Sequence, residues 1–126
     1  MKFILFICLI LPNFVFAETY NMVQAGKVFL GNITDEQAGQ AYDDPIIEEE
    51  NKVEELKLKV GDKIFFKNRD EVSHNVSAKK DGVVLFDVKL QDPGAKHDKT
   101  IELKTKGEYT IQCAIHPKMK ITLKVE

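Results

Sequence analysis

From residue 56 to its end the chain is written in short runs in which apolar and polar residues alternate, broken at regular intervals by turn residues. Leu56, Leu58 and Val60 alternate with Lys57 and Lys59 before Gly61 and Asp62. A period of two is that of a strand with one buried face, and it is incompatible with the 3.6-residue period of an amphipathic helix. The segments 64–66, 75–78, 83–88, 100–103, 108–113 and 119–125 continue the series, and Asp81 with Gly82, Pro93 with Gly94, and Lys106 with Gly107 separate them. Strands this short and evenly spaced predict an all-β fold, a β-sandwich of eight strands or so, and require no helix after residue 56.

The first half is less regular. The stretch from Tyr20 to Leu30 predicts a first strand, and Thr34 with Gln37 forms a capping-box pattern ahead of one short helix over 34–42. Charge is divided unevenly here. Residues 35–55 hold nine acids (Asp35, Glu36, Asp43, Asp44, Glu48, Glu49, Glu50, Glu54, Glu55) against Lys52 alone, a balance of −8. Residues 56–126 hold fifteen bases and ten acids, a balance of +5. The region 31–55 therefore reads as an acidic insertion in a mildly basic sandwich, either a solvated loop or a patch that steers a charged partner.

The start of the chain reads as a targeting segment. Lys2 precedes an apolar run from Phe3 to Leu11, and Val15, Phe16 and Ala17 place small or modest residues where a signal peptidase cuts. This predicts a signal peptide over residues 1–17, a mature domain over 18–126 in the periplasm, and no membrane span in the mature chain. Cys8 falls within the removed segment, so Cys113 becomes the single cysteine of an exported chain. A thiol with no partner in an oxidising compartment points to an intermolecular bridge, a reactive group or a metal ligand.

The neighbours of Cys113 decide among these. Cys113, His116 and Met119 stand at three-residue spacing on one loop between two predicted strands, and His74 supplies a second imidazole from elsewhere in the chain. One thiolate, two imidazoles and a weak axial thioether favour a copper ion that cycles between Cu(I) and Cu(II). Each residue alone has a plainer reading: a buried cysteine, a core methionine, a histidine at a strand end. His97, between Lys96 and Asp98, has the neighbours of an exposed turn, and Met22 lacks the ligand spacing.

The stretch from Asn68 to Val76, then Gly107 to Thr110, then Cys113 to Met119, resembles the cupredoxins, the type 1 blue copper proteins, in their plastocyanin and amicyanin branch. The two-residue gap between His116 and Met119 is similar to the short amicyanin loop. The resemblance covers about residues 56–126 and implies a Greek-key β-sandwich with one copper per chain. It places His74, Cys113, His116 and Met119 on the four ligand positions. It also places Asn75 on the residue that fixes the ligand loop and directs a backbone N–H towards the cysteine sulfur. The chain departs from the family in having Ser73 where relatives often have proline, and Ala114 and Ile115 where they have threonine and proline.

The function these features imply is a small exported electron carrier and not an enzyme. It would be a monomer that meets a redox donor and an acceptor transiently, with no pattern for nucleic-acid binding. A periplasmic copper carrier, using similar soft ligands in a more open site, is the alternative; a metal-free interaction module is the other.

Overall fold

A computed structural model describes residues 16–126, so most of the predicted signal peptide, Cys8 included, lies outside the described residues. Among the described residues nine strands form two sheets: β1 (Thr19–Ala25), β2 (Val28–Gly31), β3 (Glu55–Leu58), β4 (Lys63–Asn68), β5 (His74–Lys80), β6 (Val83–Gln91), β7 (Lys99–Glu102), β8 (Gly107–Cys113) and β9 (Lys120–Val125). One sheet has the order β2-β1-β4-β7 and the other β3-β9-β8-β5-β6. The β1–β4 and β3–β9 pairs are parallel, and the remaining pairs antiparallel. The all-β sandwich expected from the alternation is the observed architecture.

The alternation places the core. Ile64 and Phe66 of β4, Val76 and Ala78 of β5, Tyr109 and Ile111 of β8, and Ile121, Leu123 and Val125 of β9 all point inward and are buried. The Phe66 and Phe86 rings meet between the sheets with centroids 5.7 Å apart and a tilt of 57°. Such tilted contact suits the opposed charge of ring face and ring edge.

Three expectations need correction. The segment 20–30 is a hairpin rather than one strand, because Gly26 and Lys27 both take positive φ (63° and 60°) and reverse the chain between β1 and β2. Two consecutive left-handed residues are what a two-residue hairpin turn needs to match strand twist. The strand expected to reach Val60 ends at Leu58, and Val60 is exposed beside the turn at Gly61.

The insertion, finally, carries two short helices rather than one. The first, α1 (Asp35–Gln40), begins with the expected box, Thr34 Oγ1 accepting from Gln37 N and Gln37 Oε1 from Thr34 N. The second, α2 (Pro45–Asn51), has Asp44 as its cap, accepting from Ile46 N, and Pro45 in its first turn. Proline suits that place because the first helical N–H groups have no acceptor within the helix. Beyond α2 the chain rejoins the sheet through Val53 N donating to Phe29 O.

Candidate metal centre

The inward positions of β8 run Tyr109, Ile111, Cys113, so the thiol closes the core face at the end of its strand. His74 opens the inward face of the neighbouring β5 at the same end, since Val76 pairs with Cys113 in register. The six residues between β8 and β9 fold back tightly: Met119 N donates to His116 O and Cys113 N to Met119 O. Ala114 N donates to Asn75 O, which ties the loop to β5. Hydrogen bonds thus fix both ends of the loop, and Pro117 limits its backbone between them.

These constraints bring three donor atoms together. His74 Nδ1 lies 3.2 Å from His116 Nδ1 and 3.8 Å from Cys113 Sγ, and Sγ lies 3.6 Å from His116 Nδ1. A point equidistant from three atoms so spaced lies about 2.1 Å from each, against about 2.0–2.3 Å for nitrogen and sulfur ligands on a metal of this size. The donor set and its spacing therefore fit one metal ion. His74 and Cys113 are buried, and His116 is half-buried. Met119 is fully buried and joined to Cys113 through its carbonyl; Met22 belongs to the core on β1.

Electrostatics favour the metal-binding, ionised form of the thiol, and the protonated form of His74, which must give up a proton to take a metal. Burial opposes ionisation of the Cys113 thiol, but the Asn75 N–H at 3.4 Å, the His116 ring and the N–H groups of Ile115 and His116 outweigh it and lower its pKa to about 6. The N–H of Asn75 is directed at the sulfur. His74 is pushed down by burial, yet hydrogen bonds to Asp70 and Cys113 prevail and raise its pKa above the usual value.

Asp70 is the functional residue that sequence reading missed. Its Oδ2 lies 2.8 Å from His74 Nε2 and accepts from Lys27 N at 2.7 Å. Burial raises the Asp70 pKa, but these two bonds, together with the Glu71 N–H, bring it below the ordinary carboxylate value. An ionised carboxylate only accepts, so Nε2 carries a proton and neutral His74 keeps its Nδ1 lone pair aimed at Cys113 and His116. The available signal was a carboxylate four residues before the histidine. In a loop that spacing specifies no contact.

His116 also borders a cleft of about 460 Å³ lined by Val28, Ile115 and Pro117, with Lys27, Glu48 and Lys118. Ile115 is 56% exposed. His97 ends a 3-10 turn and is half-buried, not fully solvent-facing, and its carbonyl is engaged by Gln91.

The chain is 31% identical over 65 residues to the methylamine utilization protein MauL of Methylophilus methylotrophus; the match covers 52% of this chain and spans only 37% of that protein's length. Among solved structures it is similar to a reduced amicyanin variant, with a TM-score of 0.58 and 18% identity over 89% of this chain and 86% of the other. It is also similar to part of a copper-containing nitrite reductase from Thermus scotoductus SA-01, with a TM-score of 0.55 and 20% identity over 88% of this chain and 22% of that one. At these identities both structures speak for the fold alone. A sequence profile described as copper binding proteins, plastocyanin/azurin family, matches residues 50–126, which takes in every candidate ligand, and the chain belongs to that copper-binding family.

Proposed function

We propose that the protein is a single-electron carrier in which His74, Cys113 and His116 would hold one copper, with Met119 as a weak fourth ligand. The observation that carries this reading is the convergence of two Nδ1 atoms and one Sγ at mutual distances of 3.2–3.8 Å, on a thiol whose pKa is lowered to about 6. Bound copper supplies a couple between Cu(I) and Cu(II).

The chain's own residues do the rest. Cys113 offers a thiolate near neutral pH, and the Asn75 N–H stabilises that charge. Asp70 holds His74 in one tautomer and one orientation. Buried donors on hydrogen-bonded strand ends have little freedom to rearrange, which keeps small the structural change that opposes electron transfer. The same closure favours retention of the metal over handing it on. His116, half-buried beside Ile115 and Pro117, brings one ligand ring to the surface at an apolar collar suited to brief contact with a donor and an acceptor. With four protein ligands around the ion, no position is left open for a substrate, so the reading is a carrier and not an enzyme.

The acidic segment gives that collar a charged flank. Among the described residues Glu36, Asp43, Glu48, Glu49, Glu50 and Glu54 make no ion pair, whereas Asp35 pairs with Lys67 and Arg69, and Glu55 with Lys124. Glu48 lines the same cleft as His116. We read the flank as steering a redox partner of complementary charge.

We also infer that the protein is an exported, periplasmic monomer and that its domain starts at Glu18. Glu18 N donates to Asp62 Oδ1 and β1 begins at Thr19. Among the described residues no helix is long and apolar enough to cross a membrane.

The test is to add one equivalent of Cu(II) to the chain from Glu18 and record the visible spectrum. An intense thiolate-to-copper band, lost in Cys113→Ala, is expected. A colourless protein with no tight copper binding would sink the reading.

A further inference from the structure

Beneath His74 lies a set of buried amides that the electron-carrier reading leaves without a role. Gln91, at the end of β6, pairs with His74 across the β5–β6 register. Its side chain crosses to the other sheet: Nε2 donates to Phe66 O of β4 and to His97 O, both at 2.9 Å, and Oε1 accepts from Gln24 Nε2 of β1 at 2.9 Å. Asn68, the last inward residue of β4, continues the set. Its Nδ2 donates to Gln91 O at 2.8 Å and Val72 O at 3.0 Å, and its Oδ1 accepts from Asp70 N at 2.9 Å. An unbroken run of hydrogen bonds therefore leads from Gln24 through Gln91, Asn68 and Asp70 to His74 Nε2.

All three amide residues are at most 1% exposed. Stability alone does not account for them. Gln24 Oε1 is buried with no hydrogen-bond partner among the described residues, and a half-satisfied buried amide is worse for folding than an apolar residue of the same shape. What the amides supply is direction. Apolar side chains can slide against one another, whereas the bonds of Gln91 to Gln24, Phe66 O and Asn68 join the two sheets, and those of Asn68 to Val72 O and Asp70 N hold the loop, at the one end where His74 must face Cys113.

We propose that Gln91 and Asn68 are positioning residues for His74, holding the Asp70 loop and the end of β5 against the opposite sheet so that Nδ1 stays aimed at Cys113 and His116. This rests on the reading of His74 as a copper ligand. The two fail separately, because part of the test uses the chain without metal.

The experiment compares wild type with Gln91→Leu and with the double variant Gln24→Leu, Gln91→Leu, in which the Gln24–Gln91 pair becomes apolar on both sides while Phe66 O and His97 O lose their Gln91 donor as in the single variant. In the metal-free chains, amide hydrogen exchange is followed at Asn75, whose N–H lies on Cys113 Sγ, and at Ile111 in the core of β8. Asn75 is expected to exchange at least tenfold faster in both variants, beyond any change at Ile111. In the copper-loaded chains, the visible band and the reduction potential are expected to shift in both variants. Equal acceleration at the two amides with an unchanged band and potential overturns the proposal and leaves the amides a packing role. A wild-type chain that takes up no copper removes the carrier reading, and the exchange comparison still decides this one. Should Gln91→Leu not fold, Gln24→Leu alone removes a single bond at the far end of the run; Asn75 exchange that only follows Ile111 in that variant counts against the proposal.

Discussion

Replacing Asp70 by asparagine keeps the shape of the side chain beneath His74 and removes its charge. Oδ2 of Asp70 accepts both from His74 Nε2 at 2.8 Å and from Lys27 N at 2.7 Å, and an amide oxygen in that place can accept both bonds. Each then falls from a charge-assisted bond of about 1.5–3 kcal/mol to a neutral one of about 0.5–1.5 kcal/mol. Two bonds so weakened cost the metal-free fold about 2 kcal/mol. Copper binding should weaken about 10- to 100-fold, because the bond that orients the imidazole and makes it a better donor loses its charge assistance.

The pH dependence separates this account from simple loss of packing. His74 has its pKa raised above its ordinary 6.5, so the stability it contributes is fully present below that value and is lost as pH rises through the raised pKa. Asp70 has its pKa lowered from 3.8, so its contribution is present above that value and is lost as pH falls through the lowered pKa. The pair is therefore strongest between these limits. Urea unfolding of the metal-free chains at pH 5 and pH 9 should give a larger penalty for Asp70→Asn at pH 5. Competition with a chelator at pH 7 should show the lost copper affinity. Equal penalties at the two pH values, together with undiminished affinity, would refute the role assigned to Asp70.

Met119→Leu should keep the copper and its colour while raising the reduction potential measured by voltammetry, since a weak donor to Cu(II) is removed; an unchanged potential takes Met119 out of the ligand set. Copper affinity should fall as pH drops through about 6, where Cys113 recovers its proton, by about tenfold per pH unit for each proton that competes with the metal, and a flat titration from pH 7 to pH 5 contradicts a preformed thiolate. Changing Glu48, Glu49 and Glu50 to glutamine should slow reduction by a cationic redox reagent several-fold at low salt, with the difference gone at about 1 M salt, where the screening length is about 3 Å; stopped-flow rates that ignore the substitutions would make the acidic flank a solvated surface only. Phe66→Ala, which empties the contact with Phe86 between the sheets, should cost about 3–5 kcal/mol by denaturant unfolding, and a loss under about 1 kcal/mol would mean the core there collapses around the gap.

What could be read from the sequence was what repeats locally. The alternation that makes Tyr109 and Ile111 core residues also aims Cys113 inward, and the three-residue steps to His116 and Met119 follow from one tight loop. The β1–β2 hairpin was hidden because Gly26 followed by Lys27 is not the Asn-Gly or Asp-Gly pair that marks such turns. Lys27 tolerates its left-handed φ of 60° in a setting where its N–H donates to Asp70, a contact made across 43 residues. Helix α2 was hidden for a different reason: none of its residues is buried, so it has caps but no apolar stripe for a period to reveal.

Asp70, Asn68 and Gln91 share a third kind of illegibility. A buried polar residue is identified by its partner, and here the partners sit on other strands or on a loop with no period. The donor atoms are therefore encoded where they can be found by pattern, and their aim is encoded in contacts that only the fold assembles. Two chains with the same histidines, cysteine and methionine can accordingly differ in copper affinity and potential with no change at a ligand. In this one, the residues that would carry such a difference are the carboxylate behind His74 and the amides that hold it.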